Sequence, residues 1–195
     1  MAEYPGYDVL DKWRSPSFDD VTRKVVADRL DNVPERRFLT EAEWTLLQAL
    51  AARMVPQSGS RDLVPIVPWI DEALATSKIA SFRRSGEPHD REVWREGLAA
   101  VDREARRRHG VSFAELDAPS GEMLLHDIRG GAVSDGWTGV APRRFLIDIV
   151  LKSLVAVYYS HPAAWSAIGF GGPASPRGYV RLQLDKHDPW EASAA

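Results

Sequence analysis

The stretch Pro142–Tyr159 constrains the fold of this chain more than any other. It reads PRRFLIDIVLKSLVAVYY, and after the leading arginines its residues are apolar on most faces of a helix. Proline is favoured in the first turn of a helix, and a helix that is apolar on most sides must be covered by other elements. The sequence therefore predicts one long, central, buried helix against which the remaining elements pack.

The other predicted elements are also helical. In several other stretches, apolar residues recur at helical spacing between residues that cap helices. These stretches are Ser15 to Leu30, Thr40 to Met54, Val64 to Ser77, Asp90 to His109 and Asp117 to Gly131. In the first of these stretches the predicted buried stripe is Phe18, Val21, Val25 and Val26. Ser112 and Glu115 are spaced as the ends of a capping box, which predicts a one-turn helix between the last two stretches.

Evidence for β-structure is confined to one segment. Tyr179–Leu184 alternates apolar and polar residues like a half-buried strand. Because this chain offers no evident second strand to pair with it, the segment either pairs with another protein or runs extended. The sequence therefore predicts an all-α multi-helix bundle with an irregular N-terminal arm and an extended C-terminal tail rich in glycine and proline. We expect a single domain, with the arm at residues 1–15, the helical core at 16–160 and a partner-binding tail at 161–195.

The composition of the chain excludes several classes of functional site and partner. The 195-residue chain has no cysteine, 25 basic and 28 acidic residues, and a formal net charge of −3. Disulfides and thiolate metal sites are therefore excluded, and no overall positive field favours nucleic acid. The one basic run, Arg103–Gly110, ends a predicted helix, where cations complement the helix dipole. No stretch has the roughly 20 uninterrupted apolar residues of a membrane span.

The tail contains a glycine pattern that is typical of dinucleotide-binding turns. Gly169, Gly171 and Ala174 are spaced as G-x-G-x-x-A. Such a turn requires a buried strand before it and a helix after it, whereas here a predicted helix and the residues SHPAAW come first, and Pro173 and Pro176 follow. We therefore expect no cofactor site in this segment.

Aromatic residues in the tail predict that it contacts another surface. Phe170, Tyr179 and Trp190 extend from a segment with no predicted helix of its own, and the N-terminal arm is similarly rich in aromatic residues. An irregular segment becomes ordered only if burial of such side chains offsets the lost conformational entropy. Two interpretations stay open: the tail packs over helices of its own chain, or it binds a partner, with Arg177 and the aromatic residues as anchors.

The sequence offers no evident catalytic or metal-binding arrangement. The 5 histidines are scattered without the H-x-x-x-H or H-x-H spacing of a metal site, and no G-x-S-x-G elbow is present. Carboxylates are concentrated near helix starts, where the helix dipole favours them. We therefore predict no catalytic, cofactor-binding or metal-binding residue in this chain.

The order of these pieces resembles the gluconate 2-dehydrogenase subunit 3 family, the small helical subunits of membrane-linked flavin dehydrogenases. The resemblance is carried by FLTEAEWTLLQALAARMVPQ at 38–57, VPIVPWIDEALA at 64–75, WREGLAAVDREARRRHGVSFAELD at 94–117 and YYSHPAAWSAIGFGGPASPRGY at 158–179. It extends from about Phe38 to Trp190. The resemblance implies a non-catalytic small subunit, with substrate specificity in a larger partner.

The partner that this resemblance implies is a large FAD-containing oxidoreductase of the glucose–methanol–choline type, which oxidises a sugar, a sugar acid or a polyol. FAD is expected in the partner and no cofactor in this chain, whose role would be to stabilise the partner and to assist its folding or export. The implied partner-binding residues are Tyr158, Tyr159, Trp165, Phe170, Gly171, Gly172, Pro173, Arg177, Tyr179 and Trp190.

The sequence also gives an expectation for the cellular location of the protein and leaves two rival functions open. Typical family members begin with a twin-arginine export signal, whereas here Arg36 and Arg37 lie far from Met1 and precede a stretch that is interrupted by charges. We therefore expect a cytoplasmic protein, with a periplasmic location by co-export with a partner as the alternative. The rival functions are a homo-oligomeric helical scaffold or regulatory module, and a stand-alone enzyme whose site is assembled from distant helices.

Overall fold

The described part of the chain is built from helices. The computed structural model describes Tyr4, Ala192 and residues 6–16, 18–57, 64–79, 85–137 and 139–173. The α-helices are α1 (Asp20–Asp31), α2 (Glu41–Met54), α3 (Ile66–Ala75), α4 (Asp90–His109), α5 (Ala118–Gly130), α6 (Lys152–Tyr158) and α7 (Pro162–Ala167). Short 3-10 helices occupy Val9–Lys12 and Phe113–Glu115, and a π-helix over Arg144–Leu151 continues directly into α6.

The predicted all-α fold class is confirmed for these residues, because no strand occurs among them. The strand candidate Tyr179–Leu184 lies outside the described residues. Helix α4 has the predicted bounds, and the capped one-turn helix predicted from Ser112 and Glu115 is the second 3-10 helix. Helix α2 begins with the predicted capping box, in which the Thr40 backbone N–H donates to Glu43 Oε2 at 2.8 Å.

The start of the first helix was predicted wrongly. Helix α1 begins at Asp20 rather than at Ser15, because the carboxylate of Asp19 caps it by accepting a hydrogen bond from the backbone N–H of Thr22 at 2.7 Å. The predicted apolar stripe also divides between two faces of the helix. Val26 is buried, whereas the side chains of Val21 and Val25 are 71% and 52% exposed.

The described residues fall into two compact units. The first unit comprises those of Met1–Val33, Gln57–Val64 and Val157–Ala195, and the second comprises those of Pro34–Pro56 and Pro65–Ala156. In the second unit α2 contacts α3, α4, α5 and the 3-10 helix Phe113–Glu115. Helix α2 therefore connects several elements of this unit. The predicted division into arm, core and tail stays a prediction.

The long apolar helix of the sequence is helical from Pro142 to Tyr158, and much of it is buried. Its buried residues are Phe145, Leu146, Ile149, Val150 and Leu154. Gly97 of α4 allows the close approach of the π-helix, because a Cβ atom at this glycine would lie 2.1 Å from Phe145 Cε2. Trp94, one turn earlier on α4, packs edge-on against the same ring, with 6.2 Å between the ring centroids.

A buried carboxylate fixes the connection that leads into α2. Asp71 of α3 is fully buried, and its oxygens accept hydrogen bonds from three consecutive backbone N–H groups. The distances are 2.5 Å from Arg37, 3.1 Å from Phe38 and 2.6 Å from Leu39. A buried carboxylate is stable only when its oxygens are satisfied in this way. Asp71 therefore fixes the backbone directly before the N-cap of α2.

We predict that Asp71→Asn destabilises the second unit by about 2–4 kcal/mol, because the amide NH₂ group faces N–H donors and cannot accept from them. Asp135→Asn is the matched control, since Asp135 is exposed, and should change the free energy of unfolding by less than about 0.5 kcal/mol. Urea unfolding followed by circular dichroism measures both variants. Equal stability of the two would contradict the role assigned to Asp71.

A second buried carboxylate ties the end of α4 to the loop after α5. Glu104 is 2% exposed, and its Oε1 accepts from the backbone N–H of Ser134 at 2.8 Å and from the Ser134 hydroxyl. Its Oε2 accepts from Arg107 at 2.9 Å and from Arg108 at 3.2 Å. Burial raises the pKa of Glu104, but the hydrogen bonds from Ser134 and Arg107 outweigh burial and lower the pKa from 4.5 to about 2.

This depressed pKa predicts an acid-sensitive contribution to stability. The contribution is complete above the unfolded-state pKa of 4.5 and is lost as the pH falls towards about 2. Between pH 6 and pH 3 the native chain should lose about 2 kcal/mol more stability than the Glu104→Gln variant. Urea unfolding at the two pH values measures the difference, and equal losses in the two proteins would rule out this role for Glu104.

Candidate functional site

The candidate partner-binding segment, Tyr158–Pro173, lies in the first unit. Helix α6 ends at Tyr158, a turn follows, and His161 caps α7 by accepting a hydrogen bond at Nδ1 from the backbone N–H of Ala163 at 3.2 Å. The indole N–H of Trp165 donates to the carbonyl of Tyr159 at 2.6 Å, which fixes the turn against α7. Helix α7 was not predicted from the sequence, although proline at its first position is a recognised start signal.

The N-terminal arm packs against this segment within the same unit. Val9, Phe18, Val26 and Trp165 form one buried cluster, and Tyr7, Leu10, Trp13, Leu30 and Phe170 pack against it. The arm is not uniformly irregular, because Val9–Lys12 forms a 3-10 helix that contacts α7. Of the two interpretations of the aromatic ends, packing within the chain therefore describes the arm and the tail as far as Pro173.

Hydrogen bonds link the arm to the tail at several points. The Tyr7 hydroxyl donates to the carbonyl of Phe170 at 3.3 Å, and Lys12 Nζ donates to the carbonyl of Gly171 at 3.2 Å. The backbone N–H of Val9 donates to the Ser166 hydroxyl at 3.1 Å. The carbonyls of an irregular, buried stretch need such donors, because no helix or sheet supplies them. Lys12 and Ser166 were not singled out in the sequence, which gives no signal for contacts so distant along the chain.

Gly172 shows why glycine is required in this segment. Its φ angle is +74°, in the left-handed region, and an added Cβ atom would lie 2.9 Å from Phe18 Cε1 and 3.3 Å from Val9 Cγ2. The residue therefore has both a conformation and a contact that a side chain would disturb. Directly before Gly169 the chain is the helix α7, whereas a dinucleotide-binding turn follows a strand.

The predicted partner-binding residues differ in exposure. Tyr159 is 47% exposed and Trp165 only 6%, while Gly171 and Gly172 are buried. Tyr158, Phe170 and Pro173 are half-buried, and Arg177, Tyr179 and Trp190 lie outside the described residues. Burial of Trp165 within its own unit disfavours a direct contact of this side chain with a partner. The assignment of these residues to partner binding stays a prediction.

The first unit carries further exposed apolar side chains, which the sequence did not predict to be exposed. Ile168, at the end of α7, is 45% exposed. On α1, Val21 and Val25 lie one turn apart on the same exposed face, next to Lys24 and Asp28. Tyr158 adds a phenol hydroxyl whose pKa is raised by burial and further by the neighbouring Tyr159. Such amphipathic and apolar side chains are typical of protein interfaces.

The histidines do not form a cluster in the described residues. His89, His109 and His126 are exposed, His161 caps α7, and His187 lies outside the described residues. Within the described ranges no group of three His, Asp or Glu side chains is arranged to hold a metal ion. No described helix is long and apolar enough to cross a membrane.

The basic run at the end of α4 is largely paired within the second unit. Arg106 contacts Asp102 at 2.8 Å, and Arg107 contacts the buried Glu104 at 2.9 Å. Arg108 pairs with both Glu104 and Asp127, the latter at 2.5 Å. These arginines therefore stabilise the end of α4 and its contact with α5.

Comparison with known protein families identifies the family of this chain. The sequence model of the gluconate 2-dehydrogenase subunit 3 family matches residues 41–172, which is more than half of the chain. The chain belongs to this family. The matched range begins in the first turn of α2 and ends at Gly172, so it includes most of the second unit and most of the candidate segment. Searches of the curated proteins and of the solved structures found no significant match.

We predict that Gly172→Ala loosens the first unit more than Gly6→Ala does. Both residues have positive φ angles, so each alanine has a conformational cost of about 1 kcal/mol, but a Cβ at Gly6 would meet nothing within 4 Å. At Gly172 the clash with Phe18 adds about 1–3 kcal/mol. Hydrogen exchange at the amides of α7 measures local opening. Equal exchange rates in the two variants would contradict the steric role of Gly172.

Proposed function

We propose that this chain is a non-catalytic accessory subunit that stabilises an FAD-dependent dehydrogenase for a sugar, a sugar acid or a polyol, and assists its folding or export. The observation that carries the proposal is the family match over residues 41–172, since the family is that of a gluconate 2-dehydrogenase subunit. The redox chemistry, and the FAD that performs it, belong in this proposal to a large flavoprotein of the glucose–methanol–choline type.

Features of the first unit support the proposal. Tyr159 lies in the turn before α7 and Ile168 at the end of α7, and both are exposed. The indole hydrogen bond from Trp165 to the carbonyl of Tyr159 joins this turn to α7. The polypeptide beneath them is held by buried packing and by hydrogen bonds from the arm. A rigid backbone that presents exposed aromatic and aliphatic side chains loses little entropy when a partner binds. We therefore infer that the partner contacts this face of the first unit.

Assembly in the cytoplasm is part of the proposal, with co-export as the alternative. Arg37, which belongs to the arginine pair that resembles an export motif, donates its backbone N–H to Asp71 at 2.5 Å and pairs with Glu72 at 3.0 Å. These contacts support a structural role for Arg37 within the second unit.

Co-expression with a large flavoprotein of the glucose–methanol–choline type from the same genome tests the function. We expect a co-purifying complex, with more soluble, flavin-loaded and active dehydrogenase than the flavoprotein gives when it is expressed alone. Fractionation of the same cells locates the complex. A flavoprotein that is equally soluble and active without this chain would overturn the proposal. A chain that forms a closed oligomer by itself and ignores the flavoprotein would favour the scaffold function instead.

A paired substitution tests the binding surface in the same experiment. Tyr159→Asp places a charge on the exposed face of the candidate segment and should reduce the yield of the complex at least about fivefold. Met123→Asp is the control, because Met123 is 66% exposed on α5 of the second unit. Thermal unfolding of both variants shows that each remains folded. Equal yields would show that the flavoprotein binds elsewhere on the chain.

A further inference from the structure

The second unit contains a groove with an apolar floor and an acidic rim, which we call the α2–α4 groove. It lies between α2, α4 and the 3-10 helix Phe113–Glu115, and its volume is about 680 Å³. Every residue that lines it falls between Glu41 and Glu115, within the range that matches the family. The groove belongs entirely to the second unit, so it is a different surface from the candidate segment Tyr158–Pro173.

The floor of the groove is apolar and its walls are lined by small side chains. Leu46 and Leu98 lie at the bottom and are 4% and 0% exposed. Ala42 of α2 and Ala99 of α4 are exposed beside them. Because these alanines extend only one carbon from the backbone, the groove can admit the aliphatic side chains of another segment between the two helices.

The rim of the groove is acidic. Among the described residues, Glu41, Glu43, Asp102 and Glu115 line it, together with one cation, Arg106. Arg106 is held by Asp102 at 2.8 Å, and Glu43 by Arg95 at 3.2 Å. Glu41 is exposed in the first turn of α2 and forms no ion pair with any residue that the structure describes. The excess of carboxylates therefore favours positively charged side chains at the edge of whatever occupies the groove.

We propose that the α2–α4 groove binds a segment of the dehydrogenase partner that presents aliphatic side chains flanked by lysine or arginine. This inference rests on the proposed function and adds a second contact surface to it. Aliphatic side chains of the segment cover Leu46 and Leu98, and its cations pair with Glu41 and Glu115. An acidic or phosphorylated segment would meet like charges at this rim, which disfavours it as the occupant.

A second copy of this chain fits the groove less well than a basic segment of another protein. The most basic stretch of the chain lies on α4 itself, where Arg106 is held by Asp102, and Arg107 and Arg108 by Glu104. Inserting these arginines into the groove of another copy would break ion pairs that already exist, and one of those pairs includes the buried Glu104.

Competition for the flavoprotein tests this inference. Native chain and variant, carrying different tags, are co-expressed with the flavoprotein, and their ratio in the purified complex gives their relative affinity. Ala99→Trp fills the groove, so the purified complex should contain about ten times more native chain than variant. Ala52→Trp places the same side chain at an exposed position of α2 that does not line the groove, and should compete equally.

A charge reversal tests the acidic rim separately. Glu41→Lys should lower the share of the variant in the complex about threefold at roughly 50 mM salt, and the effect should disappear near 500 mM salt because screening removes it. Glu122→Lys on α5, exposed and outside the groove, should have no effect at either salt concentration. A Glu41→Lys effect that is independent of salt would overturn the electrostatic part of the inference.

The outcomes separate this inference from the proposed function. If the native chain forms no complex with the flavoprotein, the proposed function fails, and this inference fails with it. If the native chain binds but Ala99→Trp competes equally, only the groove inference fails. If Ala99→Trp instead converts a dimer of the isolated chain to a monomer in light scattering, the occupant is a second copy and the inference is wrong.

Discussion

The three hydrogen bonds to the buried carboxylate of Asp71 are the interaction on which most of the second unit depends. They fix the backbone of residues 37–39, and the next residue, Thr40, caps α2. Helix α2 then contacts α3, α4, α5 and the 3-10 helix Phe113–Glu115. A charge buried without these donors would cost several kcal/mol, so the start of α2 and the position of α3 must form together. The α2–α4 groove, which we propose as a second contact surface, depends on the same hydrogen bonds because α2 forms one of its walls.

The first unit depends on a different kind of constraint, in which the two ends of the chain stabilise each other. Val9 from the arm, Phe18 shortly after the arm and Trp165 from the tail share one buried cluster, and Gly172 passes close enough to Phe18 that only glycine fits. Gly172 therefore serves packing in the described structure. The aromatic residues of the ends divide into those that hold the unit together, such as Trp165, and those that stay exposed, such as Tyr159.

These two constraints suit a protein whose role is to bind. In each unit a rigid framework carries exposed side chains or a groove with apolar character, and the charges of the basic run are paired within the second unit. Membership of the gluconate 2-dehydrogenase subunit 3 family implies that the chain is a subunit of a dehydrogenase complex. The proposals assign the exposed aromatic and aliphatic residues of the first unit and the acidic groove of the second to the same flavoprotein, with contacts of different chemistry.

The sequence by itself determined the helices, because caps and apolar periodicity act between residues only a few positions apart. Thr40 with Glu43, Ser112 with Glu115, and Gly131 mark boundaries that the structure reproduces. Family membership was also readable, since its signal lies in the order of short motifs. Only the tertiary structure decided that Asp71 is buried, that Val21 and Val25 are exposed, and that the arm packs on the tail. Each of these depends on contacts between residues distant along the chain, which local propensity cannot predict.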